Sequence, residues 1–100
     1  TVIICGNDVL AAGALKQANT LGIDVPGDVS VTGFDDIELA GIVSPALTTI
    51  HVPHREMGKK AAKCLIKLVE GQTIETTTEL NANVKMRKSL KHPKSSNKDI

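Results

Sequence analysis

The chain has 100 residues, a formal net charge of +1, 41% hydrophobic and 23% charged residues, which suits one globular domain or part of one. Phe34 is the sole aromatic residue, so the core must be aliphatic and recognition of single-stranded nucleic acid by base stacking has no side chains to use. The near-neutral charge gives no general attraction to DNA or to anionic membranes, and no apolar run is long enough to span a bilayer.

Val2 to Cys5 is a continuous β-favouring run, expected as a strand buried on both faces. The chain opens abruptly on this strand sequence, which suggests a fragment whose true N-terminus lies elsewhere. Asn7 and Asp8 are good N-cap residues, so a helix is expected from about Asp8 to Leu21. Its apolar face is Ala11, Ala14, Leu15, Ala18 and Leu21, and Gly22 stands where a C′ glycine ends a helix. Pro26-Gly27-Asp28 is a turn, and Val29 to Gly33 a second buried strand. A β-α-β unit of this kind makes its strands parallel with a right-handed crossover.

After Asp35-Asp36 comes an irregular stretch with one helical turn over Ile37 to Gly41, broken at Ser44-Pro45. A third strand is expected within Leu47 to Val52. Pro53 then opens a second helix, to Glu70, as an N1 proline. That helix has the apolar face Met57, Ala61, Cys64, Leu65 and Leu68, with Gly71 as its stop. Lys59, Lys60, Lys63 and Lys67 fall mostly elsewhere and read as a solvated face. Thr76 to Leu80 and Val84 to Arg87 look extended, Ser89 onward is polar and aperiodic, and Lys91 to Ile100 reads as a loose tail.

The residues with chemistry cluster at the ends of the first two strands, where open parallel sheets bind ligands. Asn7 can cap the helix, or its amide can both donate to and accept from a ligand hydroxyl. Asp8 follows the same logic with a stronger capping bias. Asp35 and Asp36, as sequence neighbours, point in different directions and make a poor acid/base dyad. One can face a cleft and hold a polyol through paired hydrogen bonds while the other caps the next turn; Asp35 is the candidate for the cleft. His51 and His54 flank Pro53, and His92 lies far away. Asp35, His51 and His54 have no recognised zinc spacing, so no metal is expected. Cys5 and Cys64 lack CxxC spacing. They could form one disulfide, but two partly buried free thiols in a reducing cytosol fit better. No nucleophile elbow, Walker A or GxGxxG loop is present, and nothing argues for an enzyme or a cofactor.

The run Ile4-Cys5-Gly6-Asn7-Asp8 with Ala11-Ala12-Gly13-Ala14 resembles the LacI/GalR family of bacterial transcription regulators. Gly22-Ile23-Asp24-Val25-Pro26-Gly27-Asp28-Val29-Ser30-Val31-Thr32-Gly33-Phe34-Asp35-Asp36 continues the likeness. So do Ser44-Pro45-Ala46-Leu47-Thr48-Thr49-Ile50, Met57-Gly58-Lys59-Lys60-Ala61-Ala62 and the closing Arg87-x-Ser89. Their order and spacing are specific, from Thr1 to about Ser89.

The resemblance implies an α/β fold: the parallel-sheet β-α-β units of a periplasmic-binding-protein-like (type I) fold, here incomplete. Residues 1–50 and 84–90 would belong to the C-terminal lobe, and residues 53–80 to part of the N-terminal lobe. A sugar, nucleobase or related metabolite would bind between lobes and control operator DNA binding through a helix-turn-helix that this sequence lacks. By motif position Asn7, Asp35 and His54 would contact the ligand. Ala11, Leu15, Ile42 and Val43 would lie near a homodimer interface, in a cytoplasmic protein. The alternative is the periplasmic sugar-binding component of a transporter, which shares the fold. Against it, such proteins more often carry Asp-Gly where this chain has Asp35-Asp36.

Overall fold

A computed structural model describes residues 1–93. The first β-favouring run forms β1 (Val2–Ile4), and the capped amphipathic segment forms α1 (Asp8–Thr20). Next come β2 (Ser30–Thr32), the short α2 (Leu39–Ile42), β3 (Thr49–His51), α3 (His54–Val69) and β4 (Asn83–Lys85). β1 and β2 are parallel, with Ile3 opposite Val31. Parallel bridges from Thr32 to Thr48 and from Asp35 to His51 tie the β3 segment to the other edge of β2. β4 returns antiparallel to β3, with Ile50 opposite Val84.

Both long helices end as their glycines direct. Gly22 adopts φ +71°, its N–H reaches Asn19 O, and Ile23 N–H reaches Ala18 O. Gly71 adopts φ +79°, with matching bonds from Gly71 to Leu68 O and from Gln72 to Lys67 O. These paired bonds satisfy carbonyls that a helix end leaves orphaned, and they need a left-handed residue that glycine supplies without a Cβ clash.

The core is small and aliphatic. Ala11, Leu15, Val31, Ala40 and Leu47 form one buried cluster, with Cys5, Ala14, Val25 and Val43 packed against it. Ala11 and Ala40 are fully buried, so α1 and α2 approach through methyl groups. Ala11 and Leu15, expected near a subunit interface, therefore point into this core; the exposed apolar residues of the same helices are Val9, Leu10 and Ile42.

Several expectations need correction. β1 is exposed along its whole length, because α1 packs against β2 and α2 and no described element covers its outer face. Thr76 to Leu80 forms no strand; instead Thr78 and Leu80 lie beside Met57, Ala61 and Cys64 of α3. Pro53 is the N-cap of α3 and not its first helical residue. Ser89, read as the start of a polar tail, is fully buried. Of the expected tail, Lys91 donates its N–H to Ser30 Oγ, and residues 94–100 lie outside the described residues.

α3 buries none of its residues. It extends the molecule to 60 × 34 × 16 Å with a Cα radius of gyration of 18.6 Å, against about 13 Å for a compact domain of this length. No helix among the described residues is long and apolar enough to cross a membrane.

Candidate functional site

The parallel pairing of β1 with β2 brings their C-terminal ends together. Cys5 N–H donates to Thr32 O, and Asp8 N–H to Phe34 O at 3.1 Å, so Asn7-Asp8 and Phe34-Asp35 abut at one sheet edge. β3 adds its own end beside them, through Asp35 N–H to Ile50 O at 3.0 Å.

Asn7 caps α1: its Oδ1 accepts from Leu10 N at 2.8 Å. The cap engages Oδ1 in one bond, and the amide NH2 remains as a donor suited to a ligand. Asp8 does not cap. Its carboxylate is buried and accepts from the Thr49 hydroxyl at 2.6 Å and from Ile37 N–H at 2.8 Å. It therefore ties the start of α1 to β3 and to the segment after Asp36. Gly33 makes room for this carboxylate, because a Cβ there would collide with Asp8 Oδ1 and with the Leu47 side chain.

Asp35 and Asp36 do divide their work, but Asp36 serves no helix. Its Oδ1 accepts from Arg87 Nη2 at 2.7 Å, and its Oδ2 from His51 Nδ1 at 2.8 Å. Burial opposes ionisation of Asp36, yet the hydrogen bonds from Arg87 and His51, with their charges, outweigh it and hold the carboxyl below the usual range. Arg87 also donates Nη1 to Leu47 O and its backbone N–H to Thr48 Oγ1, both at 2.9 Å. Asp35 remains partly open, with Oδ1 3.5 Å from His54 Nε2. His54 begins α3, beside an open groove of about 480 Å³ whose walls include Val52, Pro53 and Lys59.

Of the expected contacts, the structure thus pairs Asp35 with His54 and sets Asn7 at the same strand ends. His51 and His54 each face a different aspartate, and among the described residues no three His, Cys, Asp or Glu side chains converge as a metal site does. Cys5 and Cys64 are free thiols, and burial pushes the Cys5 thiol pKa up.

Arg87, Thr49 and Ser89 escaped residue-level reading. Ser89 Oγ donates to Val31 O and accepts from Thr48 N–H, which locks the return segment across β2 and β3. The only sequence signal for Arg87 and Ser89 was the closing Arg-x-Ser, which carries no indication of partner.

Residues 1–90 match the family described as the periplasmic binding protein-like domain. The HTH-type transcriptional repressor PurR of Photobacterium profundum is 41% identical over 92 residues, covering 91% of this chain and 28% of that protein. Among solved structures, the Lac repressor dimer bound to operator and the anti-inducer ONPF superposes with a TM-score of 0.83 and 32% identity, over 89% of this chain and 31% of that one. The Escherichia coli transcriptional repressor AscG gives 0.77 and 34%, over 89% and 33%. The chain thus spans about a third or less of the proteins it matches.

Proposed function

The chain belongs to the LacI family of transcription regulators, as a stretch of their periplasmic-binding-protein-like effector domain, and from that premise we propose that its strand-end cleft holds a small hydroxyl- or amide-bearing effector. The observation that carries this is the partly open Asp35 carboxylate facing His54 at the C-terminal ends of parallel strands, where α/β sheets take ligands. Asp35 accepts ligand hydroxyls, the Asn7 amide donates, and His54 closes one wall. The effector class is a sugar, nucleobase or related metabolite, with no cofactor and no catalytic step.

Residues 1–50 and 84–90 form one lobe and residues 53–80 part of a second, with effector binding between them linked to operator affinity. The operator-reading helix-turn-helix lies outside this sequence. Subunits pair through the α1–α2 side, where Val9, Leu10 and Ile42 are exposed and Val43 lies at the edge of the core. The matched relatives are repressors, which favours regulation in the cytoplasm over a transport component.

Calorimetric titration with a panel of monosaccharides and nucleobases tests the reading. At least one panel member is expected to bind, and Asp35→Ala to weaken it roughly 10- to 100-fold, the loss for hydrogen bonds to a charged group. Unchanged affinity in Asp35→Ala would remove Asp35 from the site.

A further inference from the structure

Asp35 and Asp36 are consecutive non-glycine residues with φ +112° and +59°. Side chains disfavour both conformations, which persist only where the surroundings over-determine them. Three grips do so here. On β3, Asp35 N–H donates to Ile50 O at 3.0 Å, and Val52 N–H donates back to Asp35 O at 3.4 Å. Beyond the turn, Ile37 N–H is held by the buried Asp8 carboxylate at 2.8 Å. Within the turn, both carboxylate oxygens of Asp36 are engaged, one by Arg87 and one by His51.

The third grip has a feature that stability alone does not require. Arg87 lies just beyond β4, 51 positions from Asp36, and is itself fixed to Leu47 O and Thr48 Oγ1. Asp36 is thereby withheld from any ligand, while Asp35, one peptide unit away, is turned toward His54. We propose that Arg87 and His51 are positioning residues for the Asp35 carboxylate: by gripping Asp36 they hold the left-handed pair and aim Asp35 at the cleft. The inference rests on the reading of Asp35 as a ligand-holding residue, but the aiming is testable without any ligand.

The test is heteronuclear NMR on the full chain, reading the His54 Nε2 resonance and amide exchange at Asp35. Asp35→Asn calibrates the resonance, since it removes the facing charge. Arg87→Met and His51→Gln are expected to carry the His54 signal most of the way to its Asp35→Asn position. Exchange at the Asp35 amide should accelerate roughly tenfold or more, as loss of a charge-assisted hydrogen bond allows. Arg87→Lys, which keeps the charge but not the fork, should fall between wild type and Arg87→Met. The core variant Leu15→Ala should lower the melting temperature without moving the His54 signal.

An unmoved His54 signal in folded Arg87→Met overturns the proposal. So does an equal movement in Leu15→Ala, since the grip would then be ordinary structure. Should Arg87→Met not fold, His51→Gln, altered at a half-exposed ring, decides in the same way. A His54 response together with no binding of any monosaccharide or nucleobase keeps the aiming role and removes the ligand reading, so the two failures are distinct.

Discussion

Replacing Asp8 separates two accounts of one residue. At the first helical position its sequence reading is a capping or dipole carboxylate, worth about 0.3–1 kcal/mol. The structure instead buries it at 1% exposure, between the Thr49 hydroxyl at 2.6 Å and Ile37 N–H at 2.8 Å. Asp8→Ala leaves both donors without their acceptor, and Thr49 is itself 1% exposed. An unsatisfied buried donor costs about 1–3 kcal/mol, and relief of the buried carboxylate's own desolvation offsets part of the sum. The net expectation is a loss of about 2–4 kcal/mol. The chain has no Trp or Tyr, so urea unfolding is best followed by circular dichroism at 222 nm. Thr49→Val completes a double-mutant cycle: removing the hydroxyl in the Asp8→Ala background should cost much less than in wild type, with a coupling of about 1 kcal/mol or more. A loss under about 1 kcal/mol, or additivity within about 0.5 kcal/mol, would refute the tie and restore the capping account.

Three further outcomes follow from the same geometry. Because the folded Asp36 carboxyl titrates below its ordinary value of 3.8, the unfolded chain takes up the proton first, so this contribution is full above that value and is lost as pH falls through the lower folded one; Arg87→Gln should flatten that acid limb in pH-dependent melting, and an unchanged limb would count against the pair. Gly33→Ala should destabilise by about 1–3 kcal/mol, as overpacking does, since a Cβ meets Asp8 Oδ1 and Leu47; a melting temperature equal to wild type would show that the contact relaxes freely. Met57, Leu65 and Leu68 of α3 are exposed, and among the described residues β1 pairs only with β2, so sedimentation velocity over a concentration series should show a dimer or larger species. A compact monomer at high concentration would mean that α3 folds back onto its own sheet.

The elements whose causes are local were legible in the chain. Asn7 bonds Leu10 three residues on, and Gly22 and Gly71 end their helices through bonds to the preceding turn. The interactions that set these boundaries lie within six residues of one another, so α1 and α3 follow from residue type and spacing. The motif order also carried the family and its α/β fold. What the tertiary structure decided was which polar side chain meets which. Asp8 and Asp36 look interchangeable with their neighbours as cap formers, yet Asp8 bonds Thr49 41 positions away and Asp36 bonds Arg87 51 positions away. Ser89, in a stretch whose composition reads as tail, becomes buried because it spans Val31 and Thr48. Thr76 to Leu80 has strand composition but no strand partner among the described residues, and β propensity forms no ladder without one. A hydrogen bond across a fold depends on where the backbone brings two atoms. Residue type states only that a donor or acceptor exists, and the isolated bridges that tie the β3 segment beside β2, with the return of β4, determine the partner it finds.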